Sequence, residues 1–216
     1  ARLLQPLMGL MRVALDVQTS AALFARIFEY LDMTPAIRDA PDAIPVEQAP
    51  GPDGRIEFRD VVFRYPDASP DARPTLRGVS FVAEPGQHVA FVGPSGAGKT
   101  TVLYLAPRMY EASGGSVMFA GADVRGLTQE SIIANVGIVS QETYLFHASI
   151  RENLRYAKPD ATDAELVEAC RAANIHHVIE TFEQGYETIV GERGYRLSGG
   201  EKQRIAIARV LLKDPA

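Results

Sequence analysis

The sequence predicts an α/β domain with an incomplete parallel core sheet, an antiparallel subdomain and a helical subdomain, preceded by an amphipathic helix. Three observations lead to this fold class. Apolar residues recur at helical spacing near the start, a proline-rich stretch follows, and short strand-like runs then alternate with helical patterns from Arg55 onward. The chain has 216 residues, which suits one domain plus an appendage.

The front segment predicts a single helix over residues 7–31. Its apolar stripe repeats at steps of three or four and comprises Leu7, Leu10, Met11, Ala14, Val17, Ala21, Phe24, Phe28 and Leu31. Charged residues such as Arg12, Asp16 and Arg26 interrupt the apolar run. We therefore expect this helix to lie in water or against protein, and not to cross a membrane.

A stiff linker is expected between the helix and the domain. Residues 32–54 contain five prolines and two glycines without periodicity, and proline both removes backbone donors and disfavours helix before it. These patterns divide the chain into a helical segment (1–34), a linker (35–54) and a domain (55–216).

Within the domain, alternation and short apolar runs predict strands, and longer periodic stretches predict helices. Residues 88–93 form a continuous apolar run typical of a buried parallel strand. A capping box formed by Thr162 and Glu165 marks the start of one helix. The predicted strands are 55–65, 75–83, 88–93, 116–121 and 136–140, and the predicted helices are 99–109, 162–182 and 199–212.

Charge and cysteine content restrict the classes of function. The formal net charge of −5 disfavours a dedicated nucleic-acid surface, so no nucleic-acid partner is expected. The single cysteine, Cys170, rules out a framework of disulfides within the chain. Because it lies in an apolar-periodic stretch, we expect a buried thiol rather than a reactive one.

The clearest chemical motif is a phosphate loop between a predicted strand and a predicted helix. It consists of Gly93, Pro94, Ser95, Gly96, Ala97, Gly98, Lys99 and Thr100. The glycines let successive backbone N–H groups point at phosphate oxygens. Lys99 is expected to reach the β- and γ-phosphates, Thr100 to bind Mg²⁺, and Thr101 to belong to the same binding set. The motif indicates a nucleoside triphosphate without indicating the use of its energy.

A second motif lies about one hundred residues further along the chain. It comprises Leu197, Ser198, Gly199, Gly200 and Glu201. Two glycines, a hydroxyl and a helix start can form a second anion site. Taken alone, the motif is also compatible with a plain helix N-cap in which Ser198 binds first-turn amides.

Together the two motifs resemble those of ATP-binding cassette (ABC) proteins, a group of P-loop NTPases, in which the second motif is the signature. The resemblance implies ATP and Mg²⁺ as ligands. It also implies that Tyr65 stacks on adenine and that Gln141 contacts Mg²⁺ or the attacking water. An ordinary strand tyrosine and a plain turn residue are the alternatives for these two positions.

The resemblance further implies a head-to-tail dimer of cassettes. In it Ser198 and Gly200, with Gly199 and Glu201 beside them, face the nucleotide of a second, identical or homologous chain. Residues 149–154 and 190–194 resemble exporter segments, and the front helix resembles the extension of a last transmembrane helix fused to its cassette. The preferred interpretation is therefore the cassette of an exporter or lipid flippase. We expect it to lie at the cytoplasmic face of the cell membrane, with its own transmembrane domain as a partner.

Two other functions stay open, a soluble ATPase outside transport and a catalytically silent nucleotide-binding module. The spacing of the motifs leaves no room for the long coiled coil expected of the first. The resemblance also implies a further strand after Ala216, ending in an aspartate for Mg²⁺ and a glutamate for water. Without them, we expect the 216-residue chain itself to be poorly stable and to hydrolyse ATP negligibly.

Overall fold

The computed structural model describes residues 4–51, 53–69, 71–191 and 197–215. The chain divides into two compact units, Ala1–Arg38 and Asp39–Ala216. The helices are α1 Leu4–Leu31, α2 Lys99–Leu105, α3 Gln129–Asn135, α4 Ile150–Arg155, α5 Asp163–Ala172, α6 His176–Ile179 and α7 Gly199–Lys213. The strands are β1 Ile56–Phe63, β2 Leu76–Ala83, β3 Gly114–Phe119, β4 Ala122–Asp123, β5 Ala148–Ser149 and β6 Ile189–Val190.

The first unit contains α1, a helix that begins three residues before the predicted one and ends at the predicted residue. Its apolar side chains are largely exposed, for example Phe24 and Phe28. In the part of the chain that the structure describes, no helix combines the length and the apolar character that crossing a bilayer requires.

The second unit is built on an antiparallel sheet with the strand order β2-β1-β3-β4. β1 lies between β2 and β3 and pairs with both. Its inward-facing Phe58, Val61 and Phe63 are almost fully buried with Leu105 of α2 and Ile132 of α3. The predicted antiparallel subdomain is therefore confirmed. One end of its sheet positions two further segments, the one that follows β1 and the one that precedes β2.

A separate core is formed by the helices that follow the sheet. Ile150, Leu166, Ile179 and Ile205 are buried together there, and they come from α4, α5, α6 and α7. Cys170 belongs to this core, as predicted, and its burial raises the pKa of the thiol to about 11. The helical part of the fold is thus held by packing between short amphipathic helices.

Two of the strand predictions are wrong. Residues 88–93 and 136–140, expected as strands of a parallel core sheet, have no ladder pairing. No strand within the described ranges hydrogen-bonds to either run, and an extended segment becomes a strand only when a neighbour satisfies its backbone groups. Val92 is accordingly 91% exposed instead of buried.

One predicted helix is divided. The structure has α5 and α6 where a continuous helix over 162–182 was predicted. Asn174 takes a left-handed conformation, with φ of 55°, directly between them, and such a residue ends a helix. The capping box of Thr162 and Glu165 at the start of α5 is confirmed.

The predicted linker includes residues that pack on the second unit. Val46 is 2% exposed, and its N–H donates to Ser131 Oγ at 3.0 Å. Ile44 forms an isolated parallel bridge with Leu127. These contacts explain why the second unit begins at Asp39, ahead of the first strand.

Candidate nucleotide-binding site

The phosphate loop joins the unpaired run 88–93 to α2 and carries three glycines with positive φ. Gly98 is the N-cap of α2 and has φ of 87°. A Cβ at this position would lie 2.7 Å from Leu76 Cδ2 and 3.4 Å from Thr75 O. Because both the conformation and the space exclude a side chain, the loop needs glycine immediately before Lys99.

The loop presents a set of backbone donors. Of its amides, only that of Ala97 has a backbone acceptor among the described residues, Pro94 O at 3.2 Å. The amides without a backbone acceptor among the described residues belong to Gly93, Ser95, Gly96, Gly98, Lys99 and Thr100. Several unpartnered N–H groups beside a helix start suit the oxygens of a phosphate chain.

Lys99 supplies the positive charge of the loop. Its ammonium donates to the carbonyls of Gly93 and Pro94, both at 2.8 Å. These bonds fold the side chain back over the loop, and Lys99 lines the same cavity as Ser95, Gly96, Gly98 and Thr100. The donor set fits a polyphosphate, and it would not suit a cation.

A cavity of about 520 Å³ opens beside the loop. Tyr65, the phosphate-loop residues and Gln141 meet around it, although they come from three separated parts of the sequence. Its lining consists of Tyr65, Thr75, Ser95, Gly96, Gly98, Lys99, Thr100, Thr101 and Gln141. Thr75 had not been singled out from the sequence, since it belongs to no motif and reaches the cavity only because β2 starts there.

Tyr65 is held at the edge of this cavity by its neighbours. Its hydroxyl lies 3.0 Å from Thr101 Oγ1. Its ring makes edge contacts with Phe63, at 4.8 Å between centroids, and with Tyr110, at 5.2 Å. The aromatic position is therefore fixed by β1 and by the segment after α2, and the buried Thr101 orients it.

The signature motif lies outside the cavity lining, and its Ser198, Gly199 and Gly200 are exposed, whereas Leu197 is buried in the helical core. Ser198 is the N-cap of α7: its Oγ accepts from the Glu201 N–H at 3.3 Å, and its own N–H donates to Glu201 Oε2 at 2.6 Å. The capping role considered from the sequence is thus present. Gly199 and Gly200 have nothing within 4 Å of an added Cβ. Packing among the described residues therefore does not explain why these two residues are glycines.

The two exporter-like segments differ in what the structure describes. Ser149 caps α4 through a capping box with Glu152. Val190 is buried in β6 and pairs with Ala148. Residues 192–194 of the second segment lie outside the described residues.

A phosphate loop that forms a cavity with an aromatic residue and a distant glutamine defines a nucleotide-binding domain of the P-loop type. The profile of the ABC transporter family matches residues 76–216. The chain belongs to the ABC transporter family.

Comparisons with individual proteins indicate the exporter branch of this family. The chain is 46% identical over 199 residues to ATP-binding cassette sub-family B member 6 of Rattus norvegicus, covering 92% of this chain and 23% of that protein. It is 46% identical over 200 residues to the beta-(1-->2)glucan export ATP-binding/permease protein NdvA of Bradyrhizobium diazoefficiens, covering 93% and 32%. The chain thus spans about a quarter to a third of the length of these relatives.

The fold comparison agrees with the sequence comparison. A bacterial Atm1-family ABC exporter, solved with ATP bound, matches 99% of this chain and 36% of its own chain. The TM-score is 0.85 and the sequence identity is 40%. The predicted cassette fold and its relation to exporters are confirmed, and a soluble ATPase outside transport is not favoured.

Proposed function

We propose that this chain supplies the ATP- and Mg²⁺-binding part of a membrane exporter, and that the complete gene product hydrolyses ATP together with a second cassette. The cavity shared by Tyr65, the phosphate loop and Gln141 carries the proposal. Bound Mg²⁺ neutralises negative charge on the phosphates and so favours attack of water on the terminal phosphorus.

Each residue of the cavity then has a defined task. The free loop amides and the Lys99 ammonium hold the phosphate oxygens. Thr100 supplies a hydroxyl ligand for the ion, and the Gln141 amide orients the ion or the water. Tyr65 offers its ring to the base, and Thr101 keeps that ring in place through its hydroxyl.

The signature supports the presence of a second cassette. Ser198, Gly199 and Gly200 are exposed at the start of α7, and they do not line the cavity formed by the same chain. Open space around both glycines allows close approach of a partner's phosphate to the helix start. We infer that Ser198 and Gly200 act on the nucleotide of a partner chain at the cytoplasmic face of the membrane.

The proposal is tested on the complete gene product purified in lipid nanodiscs. Lys99→Ala should abolish Mg²⁺-dependent ATP hydrolysis and weaken ATP binding. Lys158→Met, which removes an ammonium that binds Glu165 on the surface, should change neither. Nucleotide binding without any hydrolysis by the unaltered protein would instead identify a catalytically silent module.

The dimer is tested by cross-linking. A protein carrying both Ser95→Cys and Ser198→Cys should form a covalent dimer in the presence of ATP, because each cysteine then faces the other chain. Neither single variant should do so. Monomers cross-linked internally would contradict the head-to-tail arrangement.

A further inference from the structure

The segment that carries Gln141 has no regular secondary structure of its own. Residues 136–147 connect α3 to β5, and Gln141 is exposed near the middle of them. Within the segment Ser140 Oγ donates to Glu142 O at 2.7 Å, a local turn that does not attach it to the rest of the domain. The position of Gln141 therefore depends on what holds the two ends of the segment.

The leading end is held by Lys213, the last residue of α7. Its ammonium donates to Ile133 O and, at 3.0 Å, to Val136 O. These carbonyls belong to the C-terminus of α3, where no intrahelical donors remain. A cation at this helix end satisfies the carbonyls and interacts favourably with the helix dipole.

The trailing end is held by Arg209, one turn earlier on the same helix. Its Nη1 donates to Tyr144 O at 3.0 Å, its Nε to Asn153 O at 2.8 Å, and its Nη2 to Asn153 Oδ1 at 2.6 Å. Asn153 is 1% exposed and also accepts from the Phe146 N–H at 2.9 Å. A partly buried network thus fixes the trailing end of the segment.

Both cations use neutral oxygens as their acceptors, as far as the described residues extend. Burial lowers the pKa of the Arg209 guanidinium and of the Lys213 ammonium. A contribution to the solubility of the protein does not explain two such partly buried cations, since each would be better hydrated if its side chain were fully exposed to solvent. Their shared feature is that they attach the Gln141 segment to α7.

We propose that Arg209 and Lys213 are positioning residues that couple the signature helix to Gln141. α7 is capped by Ser198 and extends for 15 residues, about 22 Å, from Gly199 to Lys213. A displacement of the signature on contact with a partner's nucleotide would therefore reach Gln141 at the nucleotide of its own chain. This inference rests on the proposed role of Gln141 in hydrolysis.

A double-mutant cycle on the complete gene product in nanodiscs tests the coupling. Arg209→Lys keeps the charge but is unable to donate to Tyr144 and Asn153 in the same fork geometry, and Lys213→Met keeps the stem without the ammonium. Each should lower kcat about tenfold and leave the KM for ATP within about twofold, since the phosphate-binding groups are untouched. In a Gln141→Ala background, adding either change should alter kcat less than about twofold.

Matched controls are Arg125→Lys and Lys158→Met, which alter exposed cations paired with Asp123 and Glu165 and should leave kcat unchanged. Effects that multiply in the Gln141→Ala background, or controls as slow as the test variants, would overturn the coupling while leaving the proposed function intact. If Gln141→Ala alone leaves kcat unchanged, the proposed role of Gln141 fails and the coupling fails with it. Should Arg209→Lys not fold, as judged by lost ATP binding, Lys213→Met decides.

Discussion

Replacing Gly98 by alanine tests whether the phosphate loop needs glycine for space as well as for backbone conformation. Gly98 has φ of 87°, and an added Cβ would lie 2.7 Å from Leu76 Cδ2. Leu76 is 3% exposed and packed in the sheet core, so its side chain has little room to withdraw. Overpacking of this kind costs about 1–3 kcal/mol.

A second glycine provides the control for the backbone contribution. Gly86 has φ of 73°, close to that of Gly98, and nothing within 4 Å of an added Cβ. Alanine at either position adopts a left-handed conformation, which costs about 1–2 kcal/mol. The Gly86 variant therefore shows the effect of a left-handed alanine outside the loop, and a larger effect of Gly98→Ala is attributed to the loop and its contact with Leu76.

The assay is equilibrium binding of a fluorescent ATP analogue to the complete gene product. In Gly98→Ala the loop can relieve the contact between the new Cβ and Leu76 only by changing its backbone conformation. Binding of ATP must then restore the original conformation of the loop amides. A penalty of about 1–3 kcal/mol raises Kd by about 5- to 150-fold. Binding by Gly98→Ala within about twofold of Gly86→Ala would refute the steric argument.

Three further results are expected. Asn153→Ala removes the acceptor of the Phe146 N–H and of Arg209 Nη2 at a site that is 1% exposed, so denaturant titration should show a loss of about 3 kcal/mol, against less than about 1 kcal/mol for Asn135→Ala at a half-buried position. The pKa of Glu57 is lowered to about 2, mainly by hydrogen bonds from Arg59; its stabilisation is complete above its ordinary value of 4.5 and disappears as the pH falls through 2, so circular dichroism during acid titration should show weaker pH dependence for Glu57→Gln. Because burial raises the pKa of Cys170 to about 11, iodoacetamide should label this thiol only after unfolding, and labelling of the native protein at neutral pH would contradict its burial.

The features that the sequence predicted well are encoded locally. The phosphate loop follows from glycine, lysine and threonine at fixed spacing, and the capping box of Thr162 and Glu165 joins residues three apart. Such patterns need no knowledge of the tertiary structure, because the groups that interact are near each other in the chain.

The features that the sequence predicted poorly depend on distant partners. The runs 88–93 and 136–140 have the composition of buried strands, yet strand formation depends on a neighbouring strand that no local pattern can supply. The same limit applies to Val46, whose backbone N–H donates to the side chain of Ser131, a residue of α3 that lies 85 positions further along the chain. The roles of Arg209 and Lys213 were not predicted either. In the sequence they are typical of solvated cations on a helix, and their acceptors are known only from the tertiary structure.

The glycines of the two motifs show why a site residue has to be judged by its surroundings. Gly98 is required by contacts inside its own chain, since Leu76 and Thr75 occupy the space of a side chain. Gly199 and Gly200 meet no such contact, and Ser198 and Glu201 already cap their helix. A residue type that costs helix stability without serving local packing is best explained by something that approaches from outside the chain. The phosphate loop therefore supports the proposed binding of nucleotide within one chain, and the open helix start at Ser198 supports the proposed second chain.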